Sequence, residues 1–126
     1  MFLAGAALNN LGENLNFKKE EFVPDFKQAV VAYTMDTFLE KYPQLFPTHL
    51  KIDLDGIERK IINGATNTLK DPRLKQIIIE LNTNLKDDLE IIEILKAAGF
   101  EQMSKQSAAN ALTEYDFLYN YLFTKK

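Results

Sequence analysis

The chain has 126 residues, of which 46% are hydrophobic and 26% are charged, so its length and composition predict one globular domain. Its net charge of −3 argues against a nucleic-acid-binding face, because domains that bind phosphate backbones are usually basic. The chain lacks cysteine, which excludes disulfides, thiol catalysis and zinc–thiolate sites, and its single histidine, His49, excludes most imidazole metal sites.

The opening residues, MFLAGAAL, are apolar but do not form a targeting or membrane segment by pattern. They are far shorter than the roughly 20 residues that a membrane span needs, and they lack the basic region of a signal peptide. We therefore expect a cytoplasmic protein without a membrane partner. Phe2, Leu3 and Leu8 are expected to pack on the domain or on a partner.

The first part of the chain predicts little regular structure before residue 28, because it is rich in turn-forming Asn and Gly and is broken by Pro24. Residues 28–35, QAVVAYTM, are β-branched and apolar and predict a strand. Asp36 follows and is expected to cap a short helix, TFLEKYPQLF, by accepting a hydrogen bond from a free backbone amide of that helix.

The central part of the chain predicts a strand, a turn, a helix and a second strand. The strand LKIDL covers 50–54, Gly56 allows the turn, and apolar residues at helical spacing predict a helix over 57–70. The continuous apolar run KQIIIEL at 75–81 is typical of a strand buried on both faces.

The last part of the chain predicts a helix followed by two strands. Residues 86–98 have an amphipathic helical pattern that Gly99 ends, and a strand is expected at 100–105. A polar loop then leads to an aromatic-rich strand at 117–125. The order of elements predicts an α/β fold of about five strands with flanking helices, a parallel core and an antiparallel carboxyl-terminal edge.

Three carboxylates, Asp53, Asp55 and Glu80, follow or end the two central strands, where ligands of parallel sheets bind. Because side chains alternate along a strand, Asp53 and Asp55 are predicted to point to opposite sides and not to line one pocket. Asp53 is expected to face a ligand or to bond a neighbouring loop. Asp55 and Glu58 are expected to cap the next helix or complement its dipole.

Glu80 ends an apolar run, where a carboxylate is costly unless it is paired or reaches solvent. Beside Asp53 it would place two acids at one cleft mouth, which suits general-base chemistry or a divalent metal bound through oxygen. Pairing with Lys51 is the structural alternative. Asn82 would face the same side as Glu80, and Asn120 could also line the cleft.

Several segments, taken in order, resemble the carboxyl-terminal half of the FkbM-type methyltransferases, which use S-adenosylmethionine. Their signature is a strand–turn–helix of the form I-K-I-D-V-[ED]-G-x-E, then L-x-G-A and a strand ending in E-L. The resemblance covers residues 30–126, with 1–29 as a variable, loop-rich segment. The matching segments are YTMDTFL (33–39), LKIDLDGIE (50–58), IINGATNTL (61–69), IIIEL (77–81), LKAAGF (95–100) and NYLFTK (120–125).

The resemblance implies a partial Rossmann-like methyltransferase sheet and O-methylation of a hydroxyl on a small molecule or sugar, with S-adenosylmethionine as the donor. It implies catalytic roles for Asp53 and Glu80, cofactor binding by Asp53 and Asp55, and no metal.

The sequence departs from the family pattern because no glycine-rich cofactor loop precedes residue 48. The strands present would be the fourth to the seventh of the family's sheet, so the fourth would lack its usual neighbour. An excerpt of a longer protein, a shortened gene product and one chain of a split enzyme all fit. The exposed edge predicts a homo-oligomer or a complementing chain. The alternative function is a non-catalytic association domain, and a carboxylate-lined metal hydrolase is a third, weaker one.

Overall fold

A computed structural model describes residues 31–109 and 116–126 of the chain. These residues form one mixed sheet with helices, and none of the helices in these two ranges has the length and apolar character needed to cross a bilayer. In chain order the elements are α1 (Met35–Lys41), a 3-10 helix (Pro43–Leu45), β1 (His49–Ile52), α2 (Glu58–Asn63), α3 (Thr66–Lys70), β2 (Gln76–Asn82), α4 (Lys86–Ala97), β3 (Phe100–Ser107) and β4 (Leu118–Lys125).

The sheet has the order β1-β2-β4-β3. Strands β1 and β2 are parallel, and β4 is antiparallel to both β2 and β3. The predicted α/β class, the parallel pair and the antiparallel carboxyl-terminal pair are confirmed. The described residues contain four strands where about five were expected, and β4 lies inside the sheet with β3 at its edge.

The core lies between one face of the sheet and the helices. Alternate residues of β2 are fully buried there, and they lie beside Tyr121 and Phe123 of the neighbouring strand β4. The opposite face of β2 is more open, since Ile78 keeps 39% of its surface exposed. The prediction that residues 75–81 are buried on both faces is therefore wrong. The buried residues of β2 are Ile77, Ile79 and Leu81.

The predicted strand at 28–35 is wrong over its described part, since residues 31–34 are irregular and Met35 begins α1. Thr34 is the N-cap of this helix, and its hydroxyl oxygen accepts a hydrogen bond from the Thr37 amide at 3.1 Å. The prediction that Asp36 caps this helix is wrong for the same reason. Residues 28–30 lie outside the described part of the chain.

Asp36 instead caps α3, a helix about thirty residues further along the chain. Its carboxylate accepts hydrogen bonds from the amides of Asn67 and Thr68 at 2.9 and 2.8 Å, and from the Thr68 hydroxyl at 2.7 Å. The two amides are among the backbone donors that the first turn of α3 leaves without a partner, since its own N-cap residue, Ala65, provides no side-chain acceptor.

The same contact explains why the single helix predicted over 57–70 is two helices. Helix α2 ends at Asn63 and α3 begins at Thr66, with Gly64 between them. The Gly64 carbonyl accepts a hydrogen bond from the Asp36 amide at 3.0 Å. A Cβ atom on Gly64 would lie 3.0 Å from Cβ of Thr34, so a larger residue there would displace the start of α1 by a few tenths of an ångström.

Helix α4 confirms the amphipathic pattern predicted over 86–98. It runs to Ala97, and Gly99 follows with a φ of 93°, the left-handed conformation that commonly ends a helix. Ile91 and Leu95 are fully buried against the sheet, while Leu89 is exposed. The helix therefore packs along a narrower stripe than its apolar sequence predicts.

Candidate functional site: an acidic cleft at the strand ends

The cleft is built on the turn that follows β1. The strand ends at Ile52, one residue before Asp53, so the alternation expected through residue 54 does not extend to the acids. Asp55 has a φ of 54° and Gly56 a φ of 103°. Two successive left-handed residues reverse the chain sharply before α2 begins.

This turn brings together the three carboxylates that the sequence placed at the strand ends. One oxygen from each of Asp53, Asp55 and Glu80 lies within 4.8 Å of the others. The prediction that Asp53 and Asp55 point to opposite sides is wrong, because Asp55 belongs to a left-handed turn and not to the strand. The prediction that they do not line one pocket agrees with the cavity beside them, which Asp55 lines and Asp53 does not. The predicted proximity of Asp53 and Glu80 is present.

A cavity of about 210 Å³ opens beside these acids. Asp55 and Glu80 line it together with Asn82, which faces the same side as Glu80 as predicted. Asp53 is not among its lining residues: it lies at the rim, 40% exposed, and pairs with Lys51 at 3.2 Å. Asn120 is the register partner of Glu80 on β4, two residue pairs away from Leu118, which lines the cavity.

The charges of the cleft act on Glu80. Burial raises the pKa of the Glu80 carboxyl above its ordinary value, and repulsion from Asp53, Asp55 and Glu58 raises it further. Lys51, which the sequence offered as an ion-pair partner for Glu80, pairs with Asp53 and only partly offsets this rise. The surroundings of Glu80 therefore increase its proton affinity.

We expect Glu80→Gln to be more stable than the wild type at pH 7. A carboxyl whose folded pKa is raised stabilises the fold while protonated, and that contribution is lost as pH rises through the folded pKa. The difference between the two proteins should shrink as the pH falls toward 4.5, the ordinary value for this group. Urea unfolding at several pH values measures it. A wild type that is more stable than the variant at pH 7 would contradict the assignment.

Two further acids support the cleft from the helices behind it. Glu58, only 3% exposed, begins α2, and its two oxygens accept hydrogen bonds from the amides of Leu54 and Gly56, both at 2.9 Å. Asp88 in the first turn of α4 accepts from the Asn82 amide at 2.8 Å. The sequence predicted that Glu58 lies at a helix start, but it did not predict the hydrogen bonds of Glu58 to the turn. It also did not identify Asp88 as a residue of the site. The sequence feature that could have identified both residues is an acid in the first turn of each helix.

His49 lies away from the cleft and does not line its cavity. It is the first residue of β1, at the end opposite Asp53, and its Nδ1 lies 2.8 Å from the Thr48 hydroxyl. A larger groove of about 300 Å³ lies between α3 and α4, but its lining is mainly apolar and contains none of the carboxylates. This groove therefore does not share the acidic character of the cleft at the strand ends.

The cleft fits a cationic group, since three carboxylates converge on it. The oxygens of Asp53, Asp55 and Glu80 are close enough to share a divalent cation. The cavity is smaller than the roughly 300–1,000 Å³ typical of a site for a whole organic ligand. By its volume alone, this cavity does not enclose a whole organic ligand.

A mixed sheet with acids converging at the ends of its parallel strands is consistent with part of a methyltransferase-like α/β domain. The family model of the methyltransferase FkbM domain matches residues 4–101, which is more than half of the chain. The chain belongs to this family. The match begins upstream of residue 30 and ends within β3. Searches of curated proteins and of solved structures found no match.

Proposed function

We propose that this chain contributes the acidic wall of an S-adenosylmethionine-dependent O-methyltransferase site, which acts on a hydroxyl of a small molecule or sugar. Membership of the FkbM family supports methyl transfer as the class of reaction. The single structural observation that carries the proposal is the convergence of Asp53, Asp55 and Glu80 within 4.8 Å at the carboxyl ends of β1 and β2.

The donor carries a methyl group on a positively charged sulfur, together with a charged amino group. Asp53 and Asp55 would hold these positive charges, because carboxylates attract cations most strongly where water is partly excluded. The cavity of about 210 Å³ accommodates only part of such a molecule. The remaining contacts would come from residues outside the described part of the chain or from a second chain.

Glu80 is the best-placed general base in this cleft. Its raised pKa makes it a better acceptor for the proton of an acceptor hydroxyl at neutral pH than an ordinary carboxylate. The Asn82 side-chain oxygen already accepts a hydrogen bond from the Asn84 amide at 2.9 Å, so its side-chain nitrogen is the group that can donate to the hydroxyl oxygen. Asp53, whose carboxylate pairs with Lys51, would attract the positive charge of the donor and help to orient the donor.

Adding S-adenosylmethionine to the 15N-labelled chain tests where the donor binds. We expect the amide signals of Gly56, Glu80 and Asn82 to shift, and those of α1 to stay constant. Asp55→Asn should weaken the response, whereas Asp87→Asn, an exposed acid outside the cavity lining, should leave it unchanged. Shifts confined to another surface, or an equal loss in both variants, would contradict the proposed site.

A second candidate function, association through the sheet edge, is favoured by the pairing of β1. Within the described part of the chain, β1 pairs only with β2. A strand edge of this kind offers unpaired backbone donors and acceptors to another strand. We propose that a second copy of the chain or a complementing chain pairs there and completes the donor site.

Sedimentation of the purified chain across micromolar concentrations tests this association. We expect a dimer that dissociates on dilution, with a melting temperature that rises with concentration because the folded dimer is favoured by mass action. A monomer with a cooperative melt that does not depend on concentration would exclude self-association. Binding of the donor by that monomer would also show that no second copy is needed.

A further inference from the structure

Glu58 occupies an unusual position relative to the cleft. It is buried, yet it lies among acids, and both of its carboxylate oxygens are used by one short turn. Oε1 accepts a hydrogen bond from the Leu54 amide and Oε2 from the Gly56 amide, each at 2.9 Å. The two donors flank Asp55 on either side. A carboxylate that only complemented the dipole of α2 would not need these two contacts.

Asp55 needs such support because of its backbone conformation. With a φ of 54°, it is the one non-glycine residue in the left-handed region among residues 31–109 and 116–126. That region is unfavourable for L-residues, although Asp tolerates it better than most, and it persists where the surroundings fix it. The left-handed turn is also what brings the Asp55 carboxylate to within 4.8 Å of Asp53 and Glu80.

We propose that Glu58 is a positioning residue: its carboxylate clamps the amides on both sides of Asp55 and so holds Asp55 in the left-handed conformation that places it in the cleft. The importance of this clamp for catalysis rests on the proposed function. The clamp itself is a property of the folded chain that can be measured without any ligand.

Nuclear magnetic resonance of the ligand-free chain tests the clamp, because a residue with positive φ gives a strong cross-peak between its own amide and Hα protons. The wild type should show this cross-peak at Asp55 and slow exchange of the Leu54 and Gly56 amides. Glu58→Gln keeps the shape but replaces one acceptor oxygen by a donor. We expect the Asp55 cross-peak to weaken and at least one amide to exchange about tenfold faster or more.

Asp88→Asn is the matched control, because it changes another buried acid that lines the same cavity and accepts a backbone amide. It should alter the Asn82 amide and leave Asp55 unchanged. An unaltered Asp55 cross-peak in Glu58→Gln, with core signals such as those of Ile77 intact, would overturn the inference. Loss of the cross-peak in Asp88→Asn as well would also overturn it, since the effect would not be specific to Glu58.

Glu58→Ala is a second variant that tests the clamp, because it removes both acceptor oxygens. Provided that its core signals show a folded chain, both flanking amides should lose protection and the cross-peak should disappear. These outcomes are independent of donor binding. A chain that fails to bind S-adenosylmethionine but shows the clamp refutes the proposed function alone, and a chain that binds the donor without the clamp refutes this inference alone.

Discussion

Replacing Phe123 by alanine is expected to lower the free energy of unfolding by about 3–5 kcal/mol, the usual cost of removing a buried phenylalanine side chain. Phe123 is fully buried in the middle of the sheet, in register with Ile77 of β2 and beside the ring of Tyr121. A domain of ordinary stability has about 5–15 kcal/mol in total, so the variant should be close to unfolding at elevated temperature.

Leu122→Ala is the control for this prediction, since Leu122 is adjacent on the same strand but points to the more open face. Urea denaturation with a common slope should show a clearly smaller loss for Leu122→Ala than for Phe123→Ala. Equal losses would mean that the second face of the sheet is packed as tightly as the first, and the one-sided core described above would be wrong.

Replacing Asp36 by alanine is expected to cost about 2 kcal/mol of unfolding free energy, an effect that no local feature of α1 would predict. The substitution removes the acceptor of three hydrogen bonds from the first turn of α3 and leaves the amides of Asn67 and Thr68 without it. The buried Thr68 hydroxyl loses the same partner. Asp36→Asn, which retains one acceptor oxygen, should lie between the wild type and Asp36→Ala.

Glu40→Ala provides the comparison, because Glu40 is an exposed acid on the same helix. The unfolding free energy of Glu40→Ala should stay within about 0.5 kcal/mol of the wild-type value, as for most surface substitutions. Chemical denaturation of the three variants measures the difference. If Asp36→Ala and Glu40→Ala behaved alike, the contact between α1 and α3 would contribute nothing to stability.

The sequence patterns that depend on local periodicity predicted the fold well. The bounds of strand β2, helix α4 and strand β4 were each predicted to within a residue or two. Apolar periodicity and a glycine at a helix end depend only on residues close together in the sequence. The segment QAVVAYTM failed over its described residues because β-branched composition is only a weak preference, which the Thr34 cap and the start of α1 override.

The features that depend on tertiary contacts were not predictable in this way. Asp36 was predicted to cap the helix that follows it, but it caps a helix start about thirty residues away, and sequence spacing does not reveal which helix start lacks a side-chain acceptor. The break at Gly64 has the same origin, since the partner of its carbonyl is the Asp36 amide.

The candidate site shows the same division. The identities of Asp53, Asp55 and Glu80 followed from their positions at strand ends. The proximity of Asp53 and Glu80 was also predicted, but the approach of Asp55 to them was not. It depends on a strand that ends at Ile52 and on a left-handed Asp55 whose neighbouring amides Glu58 accepts hydrogen bonds from. An acid in the first turn of a helix has several roles, and only the geometry shows that Glu58 contacts the turn.

The central claim, that the acidic cleft binds a cationic methyl donor, is tested most directly by calorimetric titration of S-adenosylmethionine and S-adenosylhomocysteine into the 126-residue chain. The demethylated product lacks the positive charge on sulfur, so we predict micromolar binding of the donor, weaker binding of the product, and loss of this preference in Asp55→Asn. Equal affinities for the two compounds, or no binding by a chain shown to be folded, would contradict the claim.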